Sequence, residues 1–313
     1  MSLAYNTLDV FTSDPFRGNP LAIVKVPSGK NLQQEQKQLI AREFNLSETV
    51  FLHEQTPEDI KARAARIDIF TPYAEVPFAG HPTVGTAVWL THHLKQDSAR
   101  ALHTKAGPLP FAALGDGVQV SVAHDVRIHD RPFADQAAFG HYPVVSIVRG
   151  MTFILARQPN LEALARPTQN LLGAENTYKS AGRLDEGWRE GLVASYFYVD
   201  LGVDAEGVRQ LRTRTLSARE DPATGSAASA LCSFLSLSVE GNAVVQRYEI
   251  TQGVEMGRKS TIRIQVTVNE ARDAVQEVLL SGTAAKVIEG RIDIPQVRQL
   301  ASRGLGTRKG SRP

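Results

Sequence analysis

Cysteine is nearly absent: Cys232 is the only one in 313 residues. An internal disulfide and a cysteine-rich metal site are therefore excluded. No apolar run reaches the ~18 residues that a membrane helix needs. Residues 1–9 lack a basic stretch followed by an apolar one, so no secretory signal is read and a cytoplasmic protein is expected. Neither sign of charge is in excess, with 35 basic and 33 acidic residues and a net charge of +2. That balance provides no general field for nucleic acid or a membrane surface. Neither Gly-x-Gly-x-x-Gly nor Gly-x-x-x-x-Gly-Lys occurs, which ranks nucleotide-dependent chemistry last.

What is present is an ordinary globular mix, 42% hydrophobic and 22% charged, in a chain long enough for two domains. Leu3–Val10, Leu21–Val26, Thr49–Leu52 and Ala64–Phe70 read as strands. Ser28 is positioned to cap a helix from Leu32 to about Phe44. A loop with three prolines, 71–82, leads to a helix of small residues from Thr83 to about His92. Gly115-Asp116-Gly117 between Phe111–Leu114 and Val118–Val122 signals a hairpin.

The second half repeats the order. Val144–Val148, Thr152–Ala156 and Gly191–Leu201 read as strands, with a weak helix over Leu161–Leu172. An arginine-rich loop leads to Asp221, followed by a small-residue helix from about Pro222 to Phe234. Tyr248–Thr251, Thr261–Val268 and a last strand, Leu279–Ile288, complete the pattern. The boundary falls near residue 125, and the Gly- and Arg-rich tail, 303–313, reads as frayed.

Two segments carry the same device, Phe78-Ala79-Gly80-His81-Pro82-Thr83 and Asp221-Pro222-Ala223-Thr224-Gly225-Ser226. Each runs from a loop into a helix of Ala, Gly, Ser and Thr, with proline near the first turn, where a missing N–H costs nothing. A helix start exposes unpaired N–H groups and partial positive charge, and two of them facing one cleft suit a carboxylate. Taken singly, Asp221-Pro222 is equally an ordinary helix cap and His81 equally a buried structural histidine. Glu48 stands where a helix gives way to a strand, flanked by Leu46, Val50 and Phe51. Desolvation there would raise its pKa and suit it as a base, against the plain alternative of a solvated turn.

The ordered motifs resemble the PhzF family of phenazine-biosynthesis isomerases. They are Asp9-Val10-Phe11-Thr12, Gly18-Asn19-Pro20-Leu21-Ala22, Asn45-Leu46-Ser47-Glu48-Thr49 and Phe70-Thr71-Pro72, then the two helix starts. Gln252-Gly253, Met256-Gly257-Arg258 and Gly282-Thr283-Ala284 complete the match. The resemblance implies an α+β, diaminopimelate epimerase-like fold of two pseudo-symmetric lobes. Each would be a curved, mostly antiparallel sheet around one central helix. The lobes would be 1–125, completed by a C-terminal strand at about 284–300, and 126–283.

It further implies a homodimer and a proton-moving isomerase that needs no metal or organic cofactor. The substrate would be a small cyclic carboxylate such as trans-2,3-dihydro-3-hydroxyanthranilate. The carboxylate matching Glu48 would take a proton from one carbon and return it to another on the same face. His81 and Asp221 would hold polar groups and developing charge. Ser226 and the N–H groups around Gly80 and Gly225 would bind the carboxylate, with Asn19 and Ser47 as further contacts. Arg258 reads as structural. Related epimerases carry two facing cysteines where this chain has Gly80 and Asp221, and Cys232 reads as core. A racemase of another small acid, or a metabolite-binding protein without catalysis, are the competing readings.

Overall fold

A computed structural model describes residues 2–94, 99–238 and 243–296. The first half runs β1 (Ser2–Val10), β2 (Asn19–Val26), α1 (Gln34–Phe44), β3 (Glu48–His53), α2 (Pro57–Lys61), β4 (Ala64–Phe70), β5 (Glu75–Val76), α3 (Gly80–Val88), β6 (Ala101–Thr104), β7 (Gly107–Leu114) and β8 (Gly117–Ser121). The second runs β9 (Arg127–Ile128), β10 (Val144–Val148), β11 (Gly150–Arg157), α4 (Leu161–Ala165), β12 (Gly191–Val203), β13 (Val208–Leu216), β14 (Glu220–Asp221), α5 (Gly225–Ser238), β15 (Val245–Gln252), β16 (Ser260–Val268), β17 (Val275–Gly282) and β18 (Ala284–Asp293).

Strands β18, β1, β2, β3, β4, β6, β7 and β8 pair in that order and curve around α3. Strands β10 to β13 and β15 to β17 curve around α5 in the same way. An antiparallel pairing of β8 with β17 joins the two. The pairings are antiparallel except β2–β3, β4–β6, β11–β12 and β13–β15.

Both central helices lack a polar face, the signature of a helix enclosed on all sides. Every residue of α3 is buried, as is nearly every residue of α5. Three of their hydroxyls are satisfied within the helix: Thr83, Thr86 and Ser229 donate to the carbonyls of Ala79, Pro82 and Gly225 at 2.7–2.8 Å. Small size is demanded by the strands. A Cβ on Gly85 would lie 2.6 Å from Leu21 Cδ2 and 2.7 Å from Val10 Cγ2.

Several expected elements are revised. Helix α1 is capped by Gln33, whose N–H donates to the Gln36 side chain, while the Ser28 N–H donates to Glu54. Helix α3 begins at Gly80, three residues earlier than expected, and α5 at Gly225, three later than expected. The helix expected over 161–172 stops at Ala165, since Pro167 has no N–H with which to continue the helical hydrogen bonds. The arginine-rich stretch is strand β13, not a loop. Its charges hide the pattern because they are paired: Arg209 with Asp200, Arg212 with Glu255 and Arg214 with Glu220. The expected strand Leu279–Ile288 is two strands, broken at Thr283, whose carbonyl accepts from the Phe11 N–H. Residues 297–300 of the expected last strand, and the tail 303–313, lie outside the described residues.

Candidate active site

The starts of α3 and α5 touch. A Cβ on Gly80 would lie 2.9 Å from Gly225 Cα, and one on Gly225 would lie 2.9 Å from Leu280 Cδ2 and 3.2 Å from Gly80 Cα. Only glycine permits that approach. The meeting point is the floor of a cavity of about 470 Å³ lined by both lobes. Ser47, Glu48, Gly80, His81, Asp221, Gly225 and Ser226 all line it, and Asn19 lies directly behind Asp221. A second cavity, of about 540 Å³ around Arg17 and Lys259, contains none of the expected site residues.

Glu48 is placed by the end of α1. Asn45 caps that helix in a left-handed conformation (φ 49°), and the chain turns through Leu46 and Ser47 into β3. Glu48 pairs beside Leu21 of β2, with 18% of its side chain exposed. Its Oε2 is 3.1 Å from His81 Nδ1. Burial, and then the Asp221 carboxylate nearby, push the Glu48 pKa from 4.5 up to about 8, with Arg219 opposing. Burial drives the His81 pKa from 6.5 down to about 3. At neutral pH the carboxyl therefore holds the proton beside a neutral imidazole.

Asp221 has a different environment. Asn19 Nδ2 (2.9 Å) and Ser47 Oγ (2.8 Å) donate to its Oδ1, and Thr224 Oγ1 (2.5 Å) donates to its Oδ2. Burial raises its pKa on balance, against the lowering by these three donors and Arg219. Of two neighbouring buried carboxyls, the one with three donors is the better anion. Asn19 and Ser47 thus direct their hydrogen bonds to Asp221, and Asn19 also donates to the Ala223 carbonyl at 2.9 Å.

Sequence reasoning did not single out Thr224, Arg219, Tyr73 or Tyr178. Thr224 was legible as the residue three after a helix-capping aspartate. The tyrosines sit in irregular segments that carry no pattern. Their rings lie 6.3 Å apart at the cavity mouth, one from each lobe. Arg258 is far from the cavity floor in role, bonding to Asp9 (2.5 Å) and to the Gly18 and Arg17 carbonyls. Cys232 is fully buried in α5, and burial pushes its thiol pKa well up, as suits a core residue. Among the described residues, no three His, Cys, Asp or Glu side chains gather in a way that would hold a metal ion. Nor is any helix among them long and apolar enough to cross a membrane.

A two-lobed α+β fold with a helix start from each lobe at a shared cavity defines the diaminopimelate epimerase-like class. A hydroxyproline epimerase from Agrobacterium vitis shares this fold, with a TM-score of 0.58 at 13% identity over 93% of this chain and 92% of that one. The chain belongs to the phenazine biosynthesis-like (PhzC-PhzF) family, whose profile matches residues 8–145 and 212–290. A PhzF-family protein from Bacillus anthracis superposes with a TM-score of 0.72 at 21% identity, over 94% of this chain and all of that one. A trans-2,3-dihydro-3-hydroxyanthranilate isomerase from Pseudomonas aeruginosa is 35% identical over 300 residues, 92% of this chain and 98% of that protein. The chain is an isomerase of the PhzF type.

Proposed function

We propose that this isomerase moves a proton between two carbons of a small cyclic carboxylate, with Glu48 as the group that takes and returns it. The observation that carries the reading is the Glu48 carboxyl, 3.1 Å from His81 and with its pKa raised to about 8, at the junction of two helix starts. A group that must act first as base and then as acid works best with a pKa near the working pH. The cycle starts from the minor population in which Glu48 is ionised: the anion takes a proton from a ring carbon, the electron pair shifts along the allylic system, and the acid form returns the proton to a second carbon. Atoms and charge balance without an external reagent.

The substrate carboxylate sits at the start of α5, against Ser226 and the first N–H groups of the helix. His81 and Asp221 hold the remaining polar groups, with Gly80 leaving the room. The name of the Pseudomonas relative makes trans-2,3-dihydro-3-hydroxyanthranilate the first compound to try. On the same reading the lobes are 1–125, closed by the strand from residue 284, and 126–283, and the working assembly is a homodimer.

The test is incubation with that compound in deuterated water, followed by NMR. Glu48→Gln should bind but lose turnover by about 10³-fold, because an amide hydrogen-bonds but shuttles no proton. Turnover by folded Glu48→Gln at the wild-type rate would remove Glu48 from the mechanism. No conversion by the wild type would remove this compound as substrate.

A further inference from the structure

Gln252 ends β15 behind the cavity wall, with no exposed surface. Two main-chain groups fix the orientation of its amide, because each has only one hydrogen-bonding role. The Asp221 carbonyl accepts from Nε2 at 2.8 Å, and the Thr224 N–H donates to Oε1 at 3.3 Å. Nε2 also lies 3.2 Å from Thr224 Oγ1 and 3.1 Å from Thr215 Oγ1. Oε1 further accepts from the Thr213 hydroxyl at 3.3 Å, which in turn accepts from the Tyr196 hydroxyl at 3.1 Å. Since Nε2 is a donor only, the Thr224 hydroxyl hydrogen cannot point to it and is directed to Asp221 Oδ2, 2.5 Å away. The chain from Gln252 through Thr224 to Asp221 therefore runs in one direction.

We infer that Gln252, acting through Thr224, decides which of the two cavity carboxylates takes up a proton, keeping Asp221 ionised so that Glu48 is the group that protonates. Gln252 is a positioning residue, removed from the cavity but bonded to both ends of the 221–224 turn. The charged and titratable groups acting on this pair are Arg219 on both carboxyls, His81 against Glu48, Tyr178, whose hydroxyl senses Glu48, and Tyr196, whose hydroxyl senses Asp221. None of them touches Thr224 in place of the amide. The role of the proton in turnover rests on the proposed function; its location does not.

The experiment is a carboxyl ¹³C NMR titration of the ligand-free protein, with Glu48→Gln and Asp221→Asn used to assign the two signals. Thr224→Val keeps the side-chain shape and removes the hydroxyl. The Glu48 midpoint should fall by about one pH unit and that of Asp221 should rise, because a carboxylate that loses a donor binds protons more readily. Gln252→Met should shift both the same way, and Thr224→Ser should titrate as wild type. If Gln252→Met fails to fold, the two Thr224 variants decide, since that residue lies half-buried on the cavity wall. Unmoved midpoints in folded Thr224→Val, or an equal shift in Thr224→Ser, would overturn the inference. Because no substrate is present, a shift in a protein that does not convert the dihydro-hydroxyanthranilate would sink the substrate assignment alone.

Discussion

Two histidines in this protein are buried beside a carboxylate, and only one of them faces a cavity. His81 Nδ1 is 3.1 Å from Glu48, where the helix starts meet. His129 Nδ1 is 3.5 Å from Asp185, and its Nε2 is 2.9 Å from Ser146 Oγ. By residue types alone, the second cluster resembles a nucleophilic triad more than the first does. Its protons are placed wrongly for that. The Asp185 N–H donates to Nδ1 at 3.4 Å, so Nε2 carries the hydrogen and donates it to Ser146. The Ser146 hydroxyl in turn contacts Thr152 Oγ1 at 2.6 Å, and both residues are wholly enclosed. What separates a site from a structural network here is the backbone around it. Glycines at two helix starts leave room beside His81, whereas Trp188 packs its ring edge-on to His129 at 5.8 Å.

The greatest expected effect comes from filling that room. In Gly80→Ala the new methyl meets Gly225 backbone at 2.9 Å, which cannot yield without moving a helix. A loss of about 2–3 kcal/mol in urea unfolding is expected for such overpacking. Turnover should fall by about 10²-fold as the reacting groups separate. Gly225→Ala first meets the flexible end of Leu280 and should lose less in both assays. Equal losses would show that the helix starts do not touch as described.

The titration of Glu48 separates the two clusters next. Its folded pKa, about 8, lies above the ordinary 4.5, so the folded state binds the extra proton between those values. The stability linked to that proton is complete below about pH 4.5 and is lost as pH rises through 8. His81 has the opposite sign: its stability is present above pH 6.5 and is lost as pH falls toward 3. Glu48→Gln should therefore gain on the wild type as pH rises from 5 to 8, by about 2 kcal/mol at the upper end. Melting temperature against pH is the measurement. Parallel curves for the two proteins would mean that Glu48 titrates as an ordinary exposed carboxyl.

The legibility of the sequence follows the same division. The two helix starts were readable because small residues, proline and glycine stand in for a physical demand, a helix enclosed by other backbone. Glu48 was visible through its apolar neighbours. Strand β13 was not, because its arginines are neutralised by Asp200, Glu220 and Glu255, partners drawn from other segments. The break at Thr283 was hidden because apolar residues continue on both sides, and what ends β17 is a hydrogen bond to Phe11, far away in sequence. The Tyr73–Tyr178 contact depends likewise on how the lobes face each other. Local pattern reports what a segment must bury, and says little about which distant partner satisfies it.

The smallest expected effect is at Ser146. Ser146→Ala removes the oxygen between His129 and Thr152 and leaves the His129 Nε2–H without its acceptor. A buried donor left unpaired costs about 1–2 kcal/mol, readable as a lower urea midpoint with an unchanged slope. Turnover should stay within about twofold of wild type, because the Ser146 side chain is wholly buried and lines neither of the two cavities described. A triad serine would behave in the opposite way, since its removal abolishes turnover and barely touches stability. A folded Ser146→Ala protein that is inactive would transfer the chemistry to His129 and reverse the contrast between the two histidines.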